Sequence, residues 1–180
     1  MHRFLVHLIF YPTLAYNLFW ARVAGRWQWW SRVDQHLILG ALPFPSTVTE
    51  LHEHGVRAVV NTCEEYAGPV AIYRQHEISQ LRVRTVDFTP PTLDSVEQAV
   101  DFIEYHRKRR ETVYVHCKAG RGRSATVVIC WLIRHLDMTP REAQTYLQKK
   151  RPQIVKHLHR RNVVQEFYRR HVQQNPAEQC

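Results

Sequence analysis

The stretch Val113-Tyr114-Val115-His116-Cys117-Lys118-Ala119-Gly120-Arg121-Gly122-Arg123-Ser124 constrains the fold more than any other part of the chain. An apolar, β-branched run leads into a short loop with two glycines. A segment apolar on nearly every side follows, with Val127, Val128, Ile129, Trp131, Leu132 and Ile133. Such a helix must lie buried at the centre of its domain, and the run before it must be a strand beside it. A five-residue loop between the two can curl until its N–H groups converge on one point. The helix N-terminus adds unpaired donors and partial positive charge at that point. Gly120 and Gly122 give the backbone freedom that a tight cradle demands. The spacing therefore predicts a phosphate-sized anion nest at a strand–helix junction.

Around it, strand-like runs alternate with helical patterns. His36–Phe44, Val56–Cys63, Leu81–Phe88 and Thr112–Cys117 read as strands, rich in Val, Ile, Leu and Thr. Ser46–His54, stopped by Gly55, and Pro69–Gln80 read as helices, as does Asp94–Arg110 with an apolar face through Val96, Val100 and Ile103. Beyond Ser124–Leu136, Thr139, Pro140 and Glu142 mark a capped helix that ends before Pro152, and a last helix runs from about Leu158 to Val172. The expectation is an α/β fold, a central sheet flanked by helices with the nest loop between a strand and a buried helix. A phosphate-binding domain over 31–175 follows an attachment at 1–30.

That attachment carries no Lys, Arg, Asp or Glu from Phe4 to Ala21. Arg22, Arg26 and Arg32 then alternate with Trp27, Trp29 and Trp30, the composition of a membrane interface. Membrane association or targeting is the favoured reading, with packing onto the domain as the alternative. The charge agrees with an anionic partner. The 180 residues hold 25 Lys and Arg against 16 Asp and Glu, for a net +9. Residues 1–104 carry 8 basic and 11 acidic side chains, and residues 105–180 carry 17 and 5. No nucleic-acid-binding motif accompanies the basic half, so a phosphorylated substrate and an anionic membrane surface are expected, not nucleic acid. Cys63, Cys117, Cys130 and Cys180 lack metal-ligand spacing, and neither a metal nor a disulfide framework is expected.

Within the nest the residue types suit phosphoryl transfer. Converging donors lower a thiol's pKa, so Cys117 is the candidate nucleophile. The fork of Arg123 can hold two phosphoryl oxygens, and Ser124 can donate to the sulfur as it departs. Lys118, Ala119, Gly120, Arg121 and Gly122 would line the bound phosphate, and His116 would orient the loop. Asp87, on the prolyl loop Asp87-Phe88-Thr89-Pro90-Pro91-Thr92, is the candidate general acid, preferred over Asp94, which reads as a helix N-terminal residue. No cofactor is expected.

With these residues in place, the chain resembles the cysteine-dependent phosphatases of the dual-specificity class. Within it, the chain is most similar to the mitochondrial lipid phosphatase family that converts phosphatidylglycerophosphate to phosphatidylglycerol on the route to cardiolipin. The resemblance extends over Phe10-Tyr11-Pro12-Thr13-Leu14, Leu39-Gly40-Ala41-Leu42-Pro43, Glu64-Glu65-Tyr66 and Thr85-Val86-Asp87, and through Arg151-Pro152 to Glu166-Phe167. Ala67 stands where family members often carry a further acid. The resemblance implies a metal-free, two-step mechanism through a cysteinyl-phosphate, with Cys117, Arg123 and Asp87 in the roles already assigned. It also implies a monomer at the mitochondrial inner membrane in a eukaryote, or at the inner membrane or in the cytoplasm in a bacterium. Lys118 and Arg121 favour a substrate with a second anionic group, or else are solvated loop charges. Cys63 resembles a cysteine able to form a reversible disulfide with Cys117, or else is a small core residue. A phosphoinositide phosphatase, a protein phosphatase and a non-catalytic phosphate-binding adaptor are the competing functions.

Overall fold

The computed structural model describes Pro12 and residues 28–174, with side chains to His171. The expectations for Phe4–Ala21, for Arg22, Arg26 and Trp27, and for Cys180 lie outside the described residues. Five strands form one sheet: β1 (Trp30–Arg32), β2 (Leu37–Gly40), β3 (Val56–Cys63), β4 (Ser79–Thr85) and β5 (Thr112–His116). Their order is β1-β2-β5-β3-β4, with β1 antiparallel to β2 and every other pairing parallel. Among residues 28–174 the helices are α1 (Pro45–Glu53), α2 (Val70–Gln75), α3 (Leu93–Lys108), α4 (Arg123–Leu136), α5 (Pro140–Lys150) and α6 (Asn162–Gln174), with a 3₁₀ turn at Leu158–Arg160 before α6.

Strand β5 is the hydrophobic centre. It pairs with β2 on one side and β3 on the other, and all five of its residues are buried. The two-residue period of a strand sends Val113 and Val115 to one face and Tyr114 to the other. Val113 and Val115 join the large core with α3, α4, α5 and α6. Tyr114 joins a smaller core with Val48 and Leu51 of α1 and Tyr73 of α2. Helix α4 has eleven buried residues in fourteen, because the sheet, α3, α5 and α6 surround it. The expected capping box is present: the Thr139 hydroxyl accepts from the Glu142 N–H, and the Glu142 carboxylate accepts from the Thr139 N–H at 2.8 Å.

Several boundaries differ from expectation for local reasons. Strand β1 is an addition, three residues long and recognisable only through its pairing with β2. The helix expected over Pro69–Gln80 stops at Gln75, because Glu77 takes a left-handed φ of 54° and Ile78 donates back to the Tyr73 carbonyl at 2.8 Å. Strand β4 consequently starts at Ser79 and ends at Thr85. Asp87 lies beyond it in a loop that turns at Phe88, whose φ is 64°. Of the strand expected over His36–Phe44 only Leu37–Gly40 pairs, and Leu42 turns to donate to the Lys118 carbonyl at 3.1 Å. The helix expected from Leu158 divides at Arg161 into the 3₁₀ turn and α6.

The end of β2 is pressed against the nest loop. A Cβ on Gly120 would stand 2.4 Å from the Gly40 carbonyl oxygen, and Gly120 has φ +66°. Gly122 is different: its φ is −120°, and an added Cβ would meet only ordinary contacts at 3.7 Å. Of the two glycines expected to give the loop its backbone freedom, Gly120 has the left-handed φ and the close contact that require glycine, and Gly122 has neither. Gly120→Ala should destabilise the fold by about 1–3 kcal/mol, through left-handed strain and overpacking. Gly122→Ala should fall within about 1 kcal/mol of the unsubstituted chain. Urea denaturation of the two variants checks the difference.

Candidate active site

The nest loop leaves the C-terminal end of β5 and enters α4, at the sheet edge where α/β proteins bind ligands. Cys117 is buried at its start, 3% exposed. Its Sγ accepts from the Gly120 N–H at 3.2 Å and from the Ser124 hydroxyl at 3.2 Å. Burial alone would push the thiol up. The Arg123 charge, the Ser124 hydroxyl and the N–H groups of Ser124 and Arg121 overcome that effect and bring the pKa from 9.0 down to about 7. Near neutral pH a large share of Cys117 is therefore thiolate. By contrast, burial raises the Cys63 and Cys130 thiols, which stay protonated. His116 is fully buried and stacked on Tyr114, with Nδ1 3.3 Å from the Cys117 carbonyl. Burial lowers its pKa to about 3, so the ring is neutral and buttresses the loop without carrying charge.

Arg123 opens α4 and is 3% exposed. Its Nη1 donates to Glu65 Oε2 and to the Thr85 carbonyl, each at 2.8 Å, and its Nη2 lies 2.9 Å from Asp87 Oδ1. Glu65 reaches further, accepting from the Asp87 N–H at 2.8 Å. One buried carboxylate thus orients the guanidinium and fixes the start of the Asp87 loop. The other Asp87 oxygen pairs with Lys118 Nζ, itself 5.2 Å from the centre of the Phe88 ring. Asp87 therefore bridges two cations of the nest. Asp94 is exposed in the first turn of α3, behind the Thr92 cap.

The structure brings Cys117, Arg123, Ser124, Lys118 and Asp87 together, and Arg121 stands at the rim with its Nε donating to the Gln153 carbonyl at 2.7 Å. A cavity of about 430 Å³ is lined by Asp87, Cys117, Lys118, Arg121 and Arg123 on the loop side, and by Val155 and Arg161 from the C-terminal segment. Three participants escaped the sequence reading. Glu65 was visible only as part of Glu64-Glu65-Tyr66, with no signal of its partner 58 residues away. Arg161 carried no signal at all.

Arg151 is the third, a fully buried arginine recorded in the sequence only as half of an Arg-Pro pair. It is 1% exposed and is held entirely by neutral acceptors. Its Nε donates to the Gly120 carbonyl at 2.8 Å and its Nη2 to the Ala119 carbonyl at 3.2 Å. Its Nη1 reaches the Gln28 carbonyl at 3.0 Å and the Ser31 hydroxyl at 3.1 Å. Burial lowers its pKa to about 10, which leaves it charged. The positive side chain thus fastens the nest loop to β1.

This geometry has counterparts among known proteins. The family model for the dual specificity phosphatase catalytic domain matches residues 37–170. Phosphatidylglycerophosphate phosphatase PTPMT1 of Arabidopsis thaliana is 39% identical over 175 residues, spanning 96% of this chain and 51% of its own length. The chain thus spans about half of that relative. Human phosphatidylglycerophosphatase and protein-tyrosine phosphatase 1 is 38% identical over 174 residues, 92% of this chain and 87% of that one. A crystal structure of PTPMT1 in complex with PI(5)P superposes with a TM-score of 0.76 at 33% identity, covering 82% of this chain and 99% of that one. In sequence and in architecture, then, the chain belongs to the dual specificity phosphatase family.

Proposed function

We propose that the chain hydrolyses phosphomonoesters through a cysteinyl-phosphate, with a phosphorylated membrane lipid of the phosphatidylglycerophosphate type as substrate. The observation that carries the chemistry is a Cys117 thiol held near pKa 7 beside Arg123, in a cavity that also contains Asp87. A phosphoryl dianion entering the nest competes with Asp87 for Arg123 and Lys118, and so frees the carboxyl group to face the leaving oxygen. The thiolate attacks phosphorus, the bond from phosphorus to the ester oxygen breaks, and protonated Asp87 gives its proton to the departing alkoxide. In the second step Asp87, now a carboxylate, takes a proton from water as the water attacks the cysteinyl-phosphate. The sulfur leaves as thiolate, received by the Ser124 hydroxyl and the loop N–H groups. Arg123 holds the equatorial oxygens throughout.

A lipid substrate is favoured by the apolar side of the same cavity. Among the described residues, Phe88 is 72% exposed and Val155 41% exposed, and both line its mouth. An apolar rim around a cationic floor suits a phosphate at the end of a glycerolipid. The names of the relatives from Arabidopsis and human point the same way. The basic C-terminal half would face an anionic membrane. Among the described residues no helix is long and apolar enough to cross a bilayer, so the contact we propose is interfacial.

The direct test compares phosphate release from phosphatidylglycerophosphate, a phosphoinositide and a phosphotyrosine peptide. The lipid should be preferred and Cys117→Ser should abolish all turnover; preference for the peptide by a large factor would overturn the lipid reading. The thiol sets a second expectation. Its lowered pKa means that reactivity is gained as pH rises through about 7, so alkylation by iodoacetamide should titrate with a midpoint near 7. Ser124→Ala removes a donor to the thiolate and should move that midpoint upward. Asp87→Asn should slow hydrolysis of alkyl phosphates by about a hundredfold and of activated aryl phosphates much less, because only a poor leaving group needs its proton. Equal losses on both ester types would assign the proton to another group.

A further inference from the structure

Among the described residues Arg161 has hydrogen-bond partners but no carboxylate partner. It sits between the 3₁₀ turn and α6, half-buried, and lines the same cavity as Cys117 and Arg123. Its Nη1 donates to Thr126 Oγ1 at 2.7 Å and to the Gly122 carbonyl at 3.4 Å, both neutral oxygens. No carboxylate pairs with it among the described residues. Arg107, Arg123, Arg134 and Arg170 each lie within 3.0–3.1 Å or less of an Asp or Glu oxygen. Burial lowers the proton affinity of Arg161, and the charge of Cys117 works in the opposite direction. Arg151 shows that neutral acceptors alone can hold a guanidinium, but there Nε, Nη1 and Nη2 all donate in a closed interior, whereas the hydrogen bonds of Arg161 leave through Nη1 alone and its side chain opens on the cavity.

The chain also fixes where that anion would be met. The Val155 N–H donates to the Arg121 carbonyl at 2.9 Å, and Arg121 Nε donates to the Gln153 carbonyl at 2.7 Å, stitching residues 153–155 to the nest loop. Arg161 is seated against the loop itself, with Nη2 3.7 Å from the Cβ position of Gly122. Thr126, its best partner, lies one turn inside α4 from Arg123. The guanidinium therefore has a set position relative to the phosphate nest and reaches it through the shared cavity.

We propose that Arg161 forms a second anion subsite, which binds a phosphate group carried by the same substrate whose scissile phosphate occupies the nest. The class so selected is a short polyol bearing two phosphate groups, whether the second is a diester, as in a phospholipid, or a monoester, as in a soluble bisphosphate. This deepens the phosphomonoesterase reading and rests on it. Phe88 and Val155 account for apolar chains, and Arg161 accounts for the second charge, so the two preferences are separable.

The test uses the full chain and two soluble substrates, glycerol 1,3-bisphosphate and glycerol 3-phosphate, which differ only in the second anion. The wild-type kcat/KM should favour the bisphosphate. In Arg161→Gln the ratio of the two values should fall about tenfold, the loss expected for one charge-assisted hydrogen bond. Arg161→Lys should restore part of it. If both substrates lose equally and the ratio is unmoved, Arg161 is a support for the loop and the proposal fails. A wild-type preference for the bisphosphate below about twofold also defeats it, whatever the variants do; that margin is far smaller than one charged contact supplies. Failure of the phosphatase reading shows differently, as turnover that survives Cys117→Ser. Failure of the lipid reading shows as preference for the phosphopeptide, with the glycerol ratio still readable.

Discussion

Keeping a charged sulfur inside the protein is the demand around which this molecule is arranged. A buried thiol ordinarily holds its proton, as Cys63 and Cys130 do here. Cys117 differs because a helix start, a hydroxyl and a guanidinium all converge on it. Each of those groups must itself be held. Arg123 is held by Glu65 and the Thr85 carbonyl, the helix start by the packing of α4 among α3, α5 and α6, and the loop by contact with Gly40. The sheet order follows from the same need, since β5 can deliver the sulfur to a central position only with β2 and β3 on its two sides.

Asp87 shows how one carboxylate can tie several groups of a site together. Its backbone is tied to Glu65 and its side chain to Lys118 and Arg123, so the protein supplies its own anion to the cations of the nest. This keeps both cations paired and seats the acid on the wall of the cavity that also holds Cys117. It also changes how Lys118 is understood. Lys118 holds the acid, and under the proposed mechanism it would meet substrate by exchanging Asp87 for phosphate.

Wherever local chemistry decides, the fold and site are legible in the sequence. Val56–Cys63 and the Thr139–Glu142 cap fall where the pattern places them, and His116 through Ser124 declares a nest by spacing alone. Asp94 stands in the first turn of its helix as its sequence context suggests, and Asp87 is buried on the cavity wall. What stays hidden depends on partners distant along the chain. Glu65 is one of several acids until it is seen beside Arg123, and β1 is only three residues until β2 pairs with it. Arg151 is hardest of all, because a basic residue reads as surface until five neutral acceptors are found around it. Gly120 and Gly122 look alike in the sequence, but only Gly120 of the two takes a left-handed conformation.

Arg151 has a consequence for how the molecule responds as a whole. The same guanidinium is shared by the carbonyls of Ala119 and Gly120 and by those of Gln28 and Trp29. Neither group of acceptors can shift without leaving a buried charge short of partners, so opening β1 and opening the phosphate loop are linked equilibria. Linkage of that kind is reciprocal. Whatever holds Gln28 and Trp29 in place also steadies the loop, and an anion seated in the loop steadies them in return.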